Sequence, residues 1–187
     1  VSSNNQAASR QPETDTLILV DAQDNEIGSC EKVDCHTGNG KLHRAFSVFL
    51  FNPEGKLLIQ QRSAQKMLWG GYWANSCCSH PRLGESSDDA ARRRIQEELG
   101  VDCELQYLYK FVYHAHFGDI GSEHEHCWVY AGHFDGKVNV DQEEIADWRF
   151  VTPDELTAEL AAENSKFSPW LRLEWEEIRN RFLQDLI

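Results

Sequence analysis

No apolar run in this 187-residue chain approaches the ~20 residues that a membrane-spanning helix needs. Positive charge is also scarce: 18 Lys and Arg stand against 31 Asp and Glu, a formal net charge of −13. A chain this acidic lacks the basic face on which general nucleic-acid binders hold phosphates, and this argues against such a partner. It leaves room for a small anionic substrate, because a bound metal ion and a few local cations reverse the potential over a short range. The six cysteines, at positions 30, 35, 77, 78, 103 and 127, form no C-x-x-C pair and no disulfide framework. With no signal-peptide pattern in these residues, reduced thiols in a cytoplasm are the expectation. There is no internal repeat.

Hydrophobic residues at 41% and charged residues at 26% suit a globular chain long enough to bury its own core. Residues 1–16 carry little that could be buried and read as a disordered tail, leaving 17–187 as a single domain. Leu17 to Val20 reads as a short strand, followed by a turn over Asp21 to Asn25. Ala45 to Phe51 is strongly β-prone, with Leu57 to Gln61 as its hairpin partner across the turn at 52–55. The main helix spans Ser86 to Leu99, with a serine cap, Asp88 and Asp89 in its first turn and Gly100 as its stop. Strands are expected at Leu105 to Tyr113, Cys127 to Phe134 and Ala146 to Val151, with the polar Gly118 to His126 segment between the first two. Helices open at Pro153 and Pro169, the second with an apolar stripe of Leu171, Trp175, Ile178 and Phe182. Strands flanked by helices indicate an α/β (α+β) domain.

The chemistry-bearing stretch is Trp73 to Glu85, where Cys78 stands two residues from His80. A free cysteine is ordinarily an inert small hydrophobe, but this one lies in a polar Asn-Ser-Cys-Cys-Ser-His-Pro setting where a thiol can act as acid or base. His36, His43 and His80, with Glu123 and Glu125, form a donor set suited to Zn²⁺, Mn²⁺ or Mg²⁺; scattered surface histidines are the alternative. In an extended segment Glu123 and Glu125 point to one side. Glu98, at the edge of the stripe Ala91, Ile95 and Leu99, is either a solvated salt-bridge partner of Arg94 or a Mg²⁺ ligand. Lys32, Arg62, Lys66 and Arg94 are surface charges taken singly and a diphosphate site taken together. Trp170 reads as core, or as an aromatic wall able to stabilise a carbocation.

Four separated motifs carry a resemblance: His43 to Phe51, Asn75 to Pro81, Gly121 to His126, and Phe167 to Trp170. Together they resemble type I isopentenyl-diphosphate Δ-isomerase, a family of the Nudix fold group, over about residues 17–182. That resemblance implies a Nudix-like mixed β-sheet sandwiched between helices. It implies one divalent metal, Mn²⁺ or Zn²⁺, on His36, His43, His80, Glu123 and Glu125. It further implies that Cys78 and Glu125 are the acid–base pair, with Tyr113 beside Glu125. It implies that Glu98 and the main-chain carbonyl of Cys78 hold a Mg²⁺ accompanying the substrate diphosphate. Lys32, Arg62, Lys66 and Arg94 bind that diphosphate, and Trp170 faces the hydrocarbon. The implied partner is a small prenyl diphosphate, with no nucleic acid and no membrane, and the expected assembly is a monomer or weak homodimer.

The Nudix signature departs from its usual form. Glu85, Arg93, Glu97 and Glu98 stand in place, but Ser79 replaces the first Gly and Arg94 replaces the Glu after Arg93. Losing that carboxylate counts against the alternative of a metal-dependent Nudix diphosphate hydrolase. Gly70 stands where many relatives carry Pro, a change expected to loosen its loop. A metal-stabilised binding domain would not need Cys78 and Glu125, and both are present.

Overall fold

The computed structural model describes residues 16–162 and 166–187. The expected tail lies outside the described residues except for Thr16, which opens the first strand. In chain order the elements are β1 (Thr16–Val20), β2 (Glu26–Glu31), α1 (Lys32–His36), β3 (His43–Phe51), β4 (Leu57–Arg62), β5 (Trp73–Ala74), β6 (Cys77–Ser79) and α2 (Ser87–Leu99). Then come β7 (Leu105–Phe117), β8 (Gly121–His133), β9 (Ile145–Val151), α3 (Pro153–Ala161), α4 (Pro169–Arg181) and the short α5 (Leu183–Leu186). No described helix is long and apolar enough to cross a membrane.

β3 organises the sheet. It is apolar at nearly every position after Arg44, the pattern of a strand covered on both faces. It pairs antiparallel with β1 and β6, and parallel with β8 from His43↔Glu125 to Phe51↔His133, so the sheet is mixed. Alternate side chains point to opposite faces. Phe46, Val48 and Leu50 therefore pack with Ala90, Ala91, Ile95 and Leu99 of α2. Phe49 and Phe51 pack on the other face with Leu171, Trp175 and Ile178 of α4. Full burial of each such aliphatic or aromatic side chain contributes about 1.5–3 kcal/mol, so packing rather than intrinsic propensity holds the two helices. The caps on α2 are as its sequence requires. Ser86 Oγ accepts from Asp89 N at 3.1 Å, and Gly100 takes the left-handed conformation at φ 65° with its N–H donating to Gln96 O.

Three expected features differ. The β3–β4 hairpin closes at a single pair, Phe51↔Leu57. The edges of β3 are taken by β8, β6 and β1, so β4 swings away to pair with β9 along its whole length and with β5 at its end. The segment Gly118 to His126 is mostly strand rather than a connection. Only residues 118–120 turn, and β7 and β8 form one long hairpin paired from Leu105↔Gly132 to Phe117↔Gly121. Its charged residues resemble a loop in sequence, yet Glu123 and Glu125 are buried. Gly70 likewise tightens its loop, since a Cβ there would lie 3.0 Å from the carbonyl oxygens of Ala64 and Lys66.

Gly121 is a position where size is decisive. A Cβ at Gly121 would meet the backbone oxygen of His36 at 2.2 Å, far inside van der Waals contact. Gly121→Ala must push α1 off the hairpin. The expected loss is about 1–3 kcal/mol of stability, read as a lower midpoint in thermal unfolding. An unchanged midpoint would mean that α1 is not held against β8.

Candidate active site

The site lies at one end of the sheet, on the face that α4 covers. Along β8 the same face carries Glu123, Glu125 and Cys127 at this end and Val129 and Ala131 in the core. β3 begins beside them with His43, whose register partner is Glu125. His80 follows β6 directly, and His36 ends α1. The three histidines and two glutamates each offer one ligand atom, and these atoms all lie within 4.8 Å of one another. His36 Nε2 is 2.9 Å from Glu123 Oε2, and His80 Nε2 is 3.2 Å from both His43 Nε2 and Glu125 Oε1.

The donor set fits a divalent metal. The Nδ1–H of His36 donates to Lys32 O at 2.6 Å and that of His43 to Lys41 O at 2.7 Å. A carbonyl only accepts, so both rings carry a proton on Nδ1 and turn Nε2 inward, the atom each would offer a metal. Burial lowers His36, but Glu123 outweighs it and leaves His36 above its ordinary value. Burial, and then the neighbouring His43, holds His80 well below the usual histidine range, so its ring is neutral. Burial acts against the Glu125 carboxylate, but His43 and the Tyr113 hydroxyl outweigh it and leave Glu125 below its ordinary value. Neutral imidazoles and an ionised carboxylate are the forms that ligate.

A cavity of about 150 Å³ opens beside this cluster. Of the residues named from the sequence, Lys32, His36, Arg62, Lys66, Cys78, His80, Tyr113, Glu123, Glu125 and Trp170 line it. His43 is fully buried beneath them. Tyr113 donates to Glu125 Oε2 at 2.7 Å, and burial pushes its own phenol well above the usual range. Cys78 is set by the pairing of β6 with β3, opposite Ser47. Burial pushes its thiol up to about 12, against the pull of Arg62, whose Nη1 is 3.5 Å from Cys78 Sγ. The same guanidinium lies 5.1 Å from the centroid of the Trp170 ring, whose Nε1–H donates to Asn75 Oδ1 at 3.1 Å. Trp69 meets Trp170 edge-on at 5.5 Å.

Two residues stand apart. Arg94 and Glu98 do not line the cavity; they pair with each other at 2.5 Å, and Arg94 also reaches Glu97 at 3.1 Å and Glu144 at 3.3 Å. Burial pushes Glu98 up, opposed by Arg94. Burial, and then the charge of Glu98, pushes the Cys77 thiol of β6 well above the usual range. Glu144 links this group to the cavity through its ion pair with Lys66. Sequence reasoning missed Glu144, an ordinary acidic residue in an acidic chain. It also missed the apolar rim of Val33, Met67 and Leu68. Val33 and Met67 are exposed, and nothing in a single sequence separates such residues from surface variation. Glu85 and Arg93 meet as the signature expects, at 2.7 and 2.9 Å.

Residues 41–171 match the NUDIX domain family. An isopentenyl-diphosphate Delta-isomerase of Serratia proteamaculans is 48% identical over 155 residues, covering 82% of this chain and 86% of the relative. Isopentenyl-diphosphate Delta-isomerase 2 of Aromatoleum aromaticum is 45% identical over 157 residues, covering 84% and 82%. A crystal structure from Deinococcus radiodurans superposes with a TM-score of 0.71 at 24% identity, covering 89% of this chain and 99% of that one. A MutT NUDIX hydrolase structure from Burkholderia pseudomallei gives 0.59 at 19% identity, covering 74% and 98%. These two likenesses bear on the fold alone. A signature-bearing NUDIX fold, a converged His/Glu cluster and extensive identity to named isomerases place this chain in the isopentenyl-diphosphate Delta-isomerase family of NUDIX proteins.

Proposed function

We propose that the protein interconverts isopentenyl diphosphate and dimethylallyl diphosphate by moving one proton on and another off the five-carbon chain. The observation that carries this reading is the sharing of one small cavity by Cys78, Glu125 and Trp170, beside a converged metal-ligand set. Shifting a double bond by one position needs protonation at one carbon and deprotonation at another, and no redox cofactor. Cys78 and Glu125 are the pair. One of the two delivers a proton to the alkene carbon and the other takes the allylic proton, and the reverse reaction exchanges the roles. Tyr113 orients Glu125 through its 2.7 Å hydrogen bond. The Trp170 face supplies π density where the intermediate becomes cationic.

His36, His43, His80, Glu123 and Glu125 would hold Mn²⁺ or Zn²⁺, whose positive charge makes the Glu125 carboxyl a better acid. Lys32, Arg62 and Lys66 face the cavity and would take the diphosphate. Glu98, with the main-chain carbonyl of Cys78, would hold Mg²⁺ brought by that diphosphate, an all-oxygen set of the kind this ion prefers. Glu98 would then exchange Arg94 for the ion, while Arg94 keeps Glu97 and Glu144 and would turn to the phosphates only by exchanging those pairs in its turn. The hydrolase alternative gains no support from the same helix. Arg94 stands where the hydrolase signature carries a further carboxylate.

Chelation tests the metal assignment. Protein stripped by a strong chelator should lose formation of dimethylallyl diphosphate and regain it when Mn²⁺ or Zn²⁺ is added with Mg²⁺. Full turnover by a protein shown to be metal-free would remove the His/Glu cluster from the mechanism.

A further inference from the structure

Two thiols that the reaction does not use flank α1. Cys30, half-buried in β2, accepts a hydrogen bond from Lys41 Nζ at 3.0 Å. Cys35, fully buried in α1, lies against β2 at the same residue, with its Sγ 3.9 Å from Cys30 O. Lys41 closes the group from its other end, with its backbone N–H donating to Cys35 O at 2.8 Å. A partly exposed cysteine beside a lysine ammonium is the setting in which thiols react with oxidants, and a second thiol within reach is what turns that reaction into a disulfide.

We propose that Cys30 and Cys35 form an oxidisable dithiol, a modification site for hydroperoxides, whose closure loosens the metal cluster through α1. Cys30 sulfur attacks the peroxide oxygen, the O–O bond breaks, and the products are a sulfenic acid and water (or an alcohol). The Cys35 sulfur then attacks the sulfenic sulfur, the S–O bond breaks, and a second water leaves. Two thiols and one hydroperoxide thus give one disulfide, with the peroxide reduced.

The coupling to the metal runs through short, named contacts. Cys35 immediately precedes His36, whose ring is aimed by Lys32 O within the same five-residue helix. His43 is aimed by the carbonyl of Lys41, the residue that bridges both cysteines. Drawing Cys35 onto Cys30 must shift a helix that Gly121 leaves no room to shift inward. Disturbing the groups that orient ligating histidines typically costs 10–100-fold in metal affinity. This coupling rests on the metal reading of the His/Glu cluster; the dithiol itself does not.

The test treats the metal-loaded full chain with hydrogen peroxide and counts free thiols by alkylation and intact mass, then measures bound metal after gel filtration. The expected result is two fewer alkylated thiols among the six and a mass lower by two hydrogens. Metal affinity should fall at least about tenfold, and dithiothreitol should restore both readings. Cys30→Ser and Cys35→Ser should each abolish the two-hydrogen loss and keep the metal under peroxide. A treated protein that gains one or two oxygens on Cys30 with Cys35 still alkylated would overturn the dithiol. A disulfide between the two with metal affinity unchanged would overturn the coupling. If the untreated protein binds no metal, the metal reading fails, and with it the coupling, while the thiol count still decides the dithiol.

Discussion

Cys78→Ala should reduce interconversion of the two five-carbon diphosphates by about 10²–10⁴-fold, the range for removing a positioned acid–base group. The substitution deletes one sulfur from a strand whose backbone pairing with Ser47 stays intact, so the fold and the metal content should be unchanged. The environment explains why no neighbour can take over. Cys77 is fully buried beside Ile95 and Leu99 on the α2 face and does not line the cavity. Ser79 lines it, but an ordinary hydroxyl is too weak an acid to share the work. Cys78→Ser, which keeps size and hydrogen bonding, should fall nearly as far. Near-normal activity in Cys78→Ala would exclude sulfur from the proton path.

Glu125→Gln should be at least as severe. The amide keeps the shape of the side chain and can still accept from Tyr113, but it cannot release or take up a proton, and it is a poorer metal ligand. Four donors remain at the cluster, so metal affinity should weaken rather than vanish, and turnover should fall by about 10³-fold or more even at saturating metal. That split separates the two roles of Glu125. Activity recovered in full by added metal would make it a ligand only. Loss with unchanged metal affinity would remove it from the ligand set.

Much of this site could be read from the residues alone, because its chemistry is concentrated in short motifs. The His-Arg-Ala-Phe start of β3, the Cys-Cys-Ser-His run after β5 and the Glu-His-Glu alternation of β8 each carry a ligand or an acid–base group at an identifiable position. The period-two side-chain rule placed Glu123 and Glu125 together, and the structure brings them to one face. The α2 boundaries were legible from its caps. What stayed hidden is tertiary. β4 parts from β3 because the β3 edges are already paired, a competition that no local pattern records. The start of β8 looked like a loop because its buried charges serve the cluster rather than solvent. α1 and β2 leave little trace in the sequence, since five helical residues carry too little periodicity to register. The Arg94–Glu98 pair was one of the two readings the sequence offered, but its burial and its further partner Glu144, from a distant loop, were not legible.

The central claim is that this fold moves protons on carbon and leaves the diphosphate whole. Incubating isopentenyl diphosphate with the metal-loaded protein and Mg²⁺ in D₂O, followed by proton and phosphorus NMR, tests it most directly. Deuterium in a methyl group of dimethylallyl diphosphate, with no phosphate released, is the result expected. Release of phosphate without any shift of the double bond would contradict it and make the protein a hydrolase.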